Sequence, residues 1–178
     1  MKLSKIILAS AITMAFALNT NAADYGTHNG TVTFNGRILE TPCSVSQNDL
    51  QQTVEFGEIS KAVLESGETS NIRTFDITLK NCTFDVSTTT TIVFNGGTAT
   101  GTNDRLALNG GATGAGIAVE YAGSKIKFDG ETPAVDQSVL ANGDNNFTFT
   151  TYVEKLPSAT AINVGEFSTT ANFVISYI

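Results

Sequence analysis

The chain has 178 residues, 41% of them hydrophobic, with 10 Lys+Arg against 17 Asp+Glu and a formal charge of −7. It lacks Trp and holds two Cys and a single His. No Arg/Lys cluster is interleaved with aromatics, so the balance excludes nucleic acid as a partner and resists adhesion to anionic membranes.

The chain opens on an export pattern. Lys2 and Lys5 precede a mostly apolar run over residues 6–18, interrupted only by Ser10 and Thr13. Thr20, Asn21 and Ala22 then offer small residues to a signal peptidase. At 13 residues the run is too short to span a bilayer, which needs about 20. Residues 1–22 are therefore expected to be a signal peptide cleaved at Ala22–Ala23. Removing 22 residues from 178 leaves 156, one ordinary domain, and removing the two lysines leaves eight basic residues against 17 acids, or −9.

Residues 23–29 are short, polar and without a hydrophobic cluster. They run into an alternating stretch in which Val32, Phe34, Gly36 and Ile38 share one parity. Val54 and Phe56 form a shorter pair, and residues 59–64 suit one helical turn. Phe75, Ile77 and Leu79 alternate with Asp76, Thr78 and Lys80, and Cys82 keeps their parity. Ile92 and Phe94 follow, then Ile117, Val119 and Tyr121, then Ile126 and Phe128. Phe147, Phe149, Thr151 and Val153 form a longer run. Ala171, Phe173, Ile175 and Tyr177 make the last one, strongly apolar and reaching the final residue. Each run has one face for a core and one largely polar face.

Asn95-Gly96-Gly97, Asn109-Gly110-Gly111, Asp129-Gly130 and Asn142-Gly143 read as turns. The glycine-rich stretch 95–116 is expected to be a mobile or surface-decorating connection around Leu106 and Leu108. A phosphate cradle would want a following helix with Lys-Ser/Thr, which is missing. Seven or eight short strands with such turns indicate an all-β, Ig-like β-sandwich. In an exported chain the two cysteines, Cys43 and Cys82, are expected to bridge, tying the end of the first strand to the end of the strand carrying Phe75. With one His, His28, no zinc site completes.

Catalysis has little support. His28 has no readable Ser/Asp partner, and both Cys belong to the bridge. Acids such as Asp144 and Glu154 fall in turns and solvent faces. Neither a catalytic residue, a cofactor nor a metal is expected. The Asn-x-Thr matches at Asn29, Asn81 and Asn146 are taken as incidental in a chain rich in Asn and Thr.

Four stretches together resemble the pilins, fimbrial subunits of the chaperone–usher pathway: Gly30-Thr-Val-Thr-Phe-Asn-Gly36, Thr41-Pro-Cys43-Ser-Val45, Phe75-Asp-Ile-Thr-Leu-Lys-Asn-Cys82 and Ala171-Asn-Phe-Val-Ile-Ser-Tyr177-Ile178. The chain is most similar to single-domain, type 1-like major subunits. The resemblance implies an incomplete Ig-like sandwich that lacks its final strand and takes a donor strand from a periplasmic chaperone or a neighbouring subunit.

On that basis residues 23–34 are the donor extension, with His28, Gly30, Val32 and Phe34 facing inward, and Phe34 at the hinge to a pilin domain of residues 35–178. Ala171, Phe173, Ile175 and Tyr177 line the groove and the chaperone-binding strand. The implied partners are the chaperone, an outer-membrane usher, identical or related fimbrial subunits and a host-surface receptor, with the product a fimbrium on the bacterial surface. A repeating shaft subunit is favoured. The alternatives are a minor adaptor or terminator, or a single-domain adhesive subunit binding a host glycan or protein. A lectin domain of a two-domain tip adhesin finds no room before Gly30.

Overall fold

A computed structural model describes residues 28–36, 38, 40–84 and 87–178. The expected signal peptide, and residues 23–27 of the expected extension, lie outside the described residues. The chain divides into two units, residues 1–38 and 39–178. In the first, residues 28–36 and 38 form no strand. Val32, Phe34 and Ile38 are 74%, 89% and 101% exposed. The alternation predicts a strand here, but a strand forms only against a ladder partner, and among the described residues these have none.

The second unit is a sandwich. Its elements, in order, are β1 (Ser44–Val45), α1 (Gln47–Leu50), α2 (Lys61–Glu65), β2 (Arg73–Cys82), β3 (Thr89–Gly96), β4 (Arg105–Ala107), β5 (Asn109–Gly110), β6 (Ala115–Tyr121), β7 (Ser124–Lys125), β8 (Asp129–Val139), β9 (Gly143–Lys155), β10 (Phe167–Ser168) and β11 (Ala171–Tyr177). One sheet runs β1-β2-β9-β6-β4, with β7 also on β6. A second runs β11-β3-β8, and β10 pairs with β5 in a two-stranded ribbon.

The period-2 pattern decides what faces inward. On β2 and β9, Ile77, Leu79, Phe147, Phe149 and Val153 are buried, while Asp76, Lys80, Asn146 and Thr148 are exposed. Rings join the two sheets. Phe94 of β3 lies 5.2 Å from Phe149 and 6.5 Å from Phe75, and Phe75 stacks on Phe149 at 5.2 Å. Aromatic pairs at such spacings add about 0.5–1.5 kcal/mol each beyond area burial. Cys43, just before β1, bridges to Cys82 at the end of β2 with a Cα–Cα distance of 4.2 Å. The cystine thus ties the entry of the first strand, rather than its exit, to the end of β2.

Several turn signals resolve differently. Asn95-Gly96 and Asn109-Gly110 lie within strands, and Asp129-Gly130 opens β8. The stretch 95–116 is only partly the surface connection expected: Gly97 and Gly101 are exposed, but Ala99, Leu106, Ala112 and Ala115 are buried. Gly110 and Gly114 take φ of +141° and +83°, and a β-carbon on either would strike the carbonyl of Glu166 or Ala161. Those glycines are there so that two backbones can touch. The sharp β6–β7 turn is instead made by Ala122 and Gly123, at φ of +49° and +79°. Ile126 and Phe128 are buried but stand between β7 and β8 rather than in a strand. The turn expected near residues 59–64 is α2, which buries Leu64 and is followed by Gly67 at φ +89°.

β8 is an interrupted edge. Its register with β3 shifts three times, it contains Pro133, and Gln137 sits at φ +43°.

Candidate functional site

β11 is the other edge of the smaller sheet, paired with β3 alone. Its register runs unbroken from Ala171–Gly96 to Tyr177–Thr90. One residue further, Ile178 and Thr89 exchange both backbone bonds, at 3.0 and 2.9 Å. An antiparallel ladder alternates residues that bond their partner with residues that face away. So Asn172, Val174 and Ser176 bond β3, and Ala171, Phe173, Ile175 and Tyr177 turn their N–H and C=O groups outward. Each residue carries one donor and one acceptor. Four residues therefore present eight polar groups, and no partner for them exists among the described residues.

The side chains of the same four residues are half-buried against the core. Phe173 packs 5.8 Å from Phe94. Burial pushes the Tyr177 phenol pKa above its ordinary value. The free backbone edge and the apolar side chains thus belong to one strand segment, whose first residues, Ala171, Asn172 and Phe173, line a groove; the expected groove residues Ile175 and Tyr177 lie on the same strand beyond that lining.

The groove holds about 1430 Å³. One lip is residues 164–173, leading into β11; the other includes residues 49–59. Between them lie core side chains, among them Phe75, Phe94, Leu106, Val119, Phe128 and Val153. All but Phe128, which precedes β8, come from strands, and the strands belong to both sheets. The second lip departs from the sequence reading. Val54 and Phe56 keep their alternation as half-buried residues, yet residues 52–59 enter no ladder. Among the described residues only a side chain, Arg73 Nε donating to the Glu55 carbonyl at 3.0 Å, bonds the backbone of residues 53–59. The two lips approach each other at Phe56 and Phe167, whose ring centroids lie 6.4 Å apart.

A void over a hydrophobic floor, flanked on both sides by backbone with almost no partner among the described residues, has the outline of a missing β-strand. A small polar ligand would satisfy neither the length of the edge nor the apolar floor. An extended peptide satisfies both, through ladder bonds and alternate side chains.

His28, Gly30, Val32 and Phe34 are exposed. Glu154 is neutralised, accepting from Arg105 Nε at 2.6 Å and Lys125 Nζ at 2.7 Å. Asp144 accepts from the Asn81 backbone at 3.0 Å. Beside Glu154, burial raises the Asp104 carboxyl pKa, but hydrogen bonds from Thr102 and Arg105 and the guanidinium charge outweigh it, leaving a net lowering. Burial, then the Glu120 carboxylate accepting from its hydroxyl, holds the Tyr152 phenol well above its usual value. Sequence reading missed this ion-pair cluster, because its members come from β4, β6, β7 and β9 and from the residue before β4. Among the described residues, no group of three His, Cys, Asp or Glu is placed to hold a metal.

Residues 32–178 match the family model described as Fimbrial protein, and the chain belongs to that family. It is a structural, non-enzymatic fimbrial subunit, and its sandwich is an incomplete Ig-like fold. It is 36% identical to the Pap fimbrial major pilin protein of Escherichia coli, over 97% of this chain and 98% of that one. The crystal structure of the P pilus rod subunit PapA superposes with a TM-score of 0.70 at 34% identity, covering 78% of this chain and all of that one. A structure of a chaperone–usher pilus, concerned with the molecular basis of rod uncoiling, gives 0.75 at 35% identity, over 86% and 98% of the two chains.

Proposed function

We propose that this chain polymerises by donor-strand exchange and forms the shaft of a surface fimbria. The observation that carries the reading is the outer edge of β11, where eight backbone groups have no partner among the described residues and whose end at residues 171–173 borders a groove floored by core side chains. Residues 23–34 of one subunit are the donor, with His28, Gly30, Val32 and Phe34 entering the groove of the next and Ala171, Phe173, Ile175 and Tyr177 receiving them. Residues 35–178 form the receiving domain, and residues 1–22 direct export.

The energetics favour it. Roughly three to five side chains at about 1.5–3 kcal/mol each give about 5–15 kcal/mol of gross burial, the size of a whole domain's net stability. An unfilled groove also leaves an edge open to aggregation, so a periplasmic chaperone must cover it during transit and an outer-membrane usher must receive the subunit. Likeness to the rod subunit PapA and to a chaperone–usher pilus supports a repeating shaft role over an adaptor, a terminator or a receptor-binding role.

The test is a denaturing gel of surface material run with and without boiling. A ladder that collapses to one band on heating is expected; a single band in both lanes would overturn the reading. Cells making only a chain deleted for residues 23–34 should show no long fibres.

A further inference from the structure

Five Asn-Gly pairs occur in the chain, at residues 29–30, 35–36, 95–96, 109–110 and 142–143. This dipeptide is the one most prone to deamidate, because glycine leaves the following nitrogen unhindered. The Gly nitrogen attacks the Asn Cγ, and the C–N bond to the side-chain amide breaks. Ammonia leaves, carrying the proton lost by the Gly nitrogen. Water then opens the five-membered succinimide at either carbonyl, giving Asp or isoaspartate. The step needs a backbone free to swing that nitrogen onto the side chain.

The fold sorts the five pairs. Asn95 and Gly96 lie in β3, and the Gly96 N–H is held by the Phe128 carbonyl at 3.2 Å. Asn109 and Gly110 both pair with β10, and Gly110 is pressed against Glu166. The Asn142 side-chain oxygen accepts from the Phe84 N–H at 2.9 Å, and Gly143 is paired with Cys82. Among the described residues, nothing comparable restrains the first two pairs. Residues 29, 30, 35 and 36 are exposed and in no ladder, and a β-carbon placed on Gly30 or Gly36 meets no atom within 4 Å.

We infer that Asn29 and Asn35 are sites of spontaneous, self-catalysed modification of the unassembled subunit. Each event replaces a neutral amide by a carboxylate. The isoaspartate product also routes the main chain through an extra methylene. The consequence, unlike the sites themselves, rests on the strand-donation reading. Asn29 stands between His28 and Gly30, so one added backbone atom breaks the two-residue repeat on which alternate insertion depends. Once a donor strand is docked, its Gly30 N–H is immobilised and the reaction stops. A subunit that waits too long unassembled loses its capacity to donate; one that assembles is protected.

The experiment is a peptide map of the purified mature chain after ageing in mildly alkaline buffer, once folded and once in guanidinium. Deamidation is read from the mass gain and from labelling by isoaspartyl methyltransferase. In guanidinium all five pairs should react at comparable rates. In the folded chain Asn29 and Asn35 should keep those rates, while Asn95, Asn109 and Asn142 slow at least about tenfold, which a local opening cost of about 1.4 kcal/mol already gives. Equal rates at all five pairs in a chain shown by circular dichroism to be folded would overturn the inference, as would slowing at Asn29 and Asn35. The paired Asn29→Gln and Asn35→Gln variant should lose the fast signal. A separate arm ages assembled fibres: slowing at Asn29 there supports docking, and an unchanged rate counts against strand donation while leaving the site assignment standing.

Discussion

Proline substitution can separate the two sides of β11. Ser176 gives its N–H to β3, whereas the N–H of Ile175 points outward. Ser176→Pro therefore removes one ladder bond, worth about 1 kcal/mol net, and strips the Thr91 carbonyl of its donor at about 1–3 kcal/mol more. Ile175→Pro carries the same ring strain and the same constraint on its predecessor but breaks no bond to any of the described residues. Alanine at each position corrects for the side chain, since Ile175 is half-buried and Ser176 is exposed. Measured by urea unfolding of the isolated mature chain, the proline-over-alanine cost at Ser176 should exceed that at Ile175 by about 2–4 kcal/mol. In fibres the order should change, with Ile175→Pro weakening resistance to detergent more than Ile175→Ala does. Equal costs at both positions in the isolated chain would refute the assignment of the outward groups, and the groove would lose its main physical support.

Other consequences are as direct. Phe94→Ala, which removes a ring touching Phe75, Phe128, Phe149 and Phe173, should cost about 3–5 kcal/mol in chemical denaturation; a loss below about 1 kcal/mol would mean the sheets are not joined there. Replacing Cys43 and Cys82 by Ser opens a loop of 39 positions and should cost about 4 kcal/mol, read as a lower urea midpoint. The Asp129 carboxyl, held by the Thr132 and Glu131 N–H groups and the Thr132 hydroxyl, is lowered from 3.8 to about 2. Its contribution is thus complete above pH 3.8 and fades as pH falls through about 2. Carboxyl NMR titration should find its midpoint there, and an ordinary value would show those bonds to be absent in solution.

The sandwich was legible because its core runs keep strict period 2: β2, β3, β6, β9 and β11 all fall where alternating apolar residues predict them. What escaped was set by tertiary contact. β8, with Pro133 and mostly polar residues, has no alternation to betray it, and only pairing with β3 makes it a strand. Conversely, Val32, Phe34, Val54 and Phe56 alternate well and still join no ladder among the described residues. Alternation reports a segment's fitness to be a strand, whereas a neighbour decides whether it becomes one. The glycines of residues 96–116 misled for a related reason: a residue chosen for close backbone approach looks, in sequence, like one chosen for freedom. The parity of Ala171, Phe173, Ile175 and Tyr177 could be read directly. That the outward backbone of these residues meets no partner among the described residues required knowing the sheet order.

The two borders of the smaller sheet are not equivalent. Along β8 the spacing of donors and acceptors is broken by a proline and by repeated slips against β3, so a stray chain approaching that side meets a pattern it cannot match. Along β11 the spacing is regular for seven residues. Of these two borders only β11 offers a regular ladder, so growth by strand donation would use one flank of this sheet and give a polymer with a head and a tail.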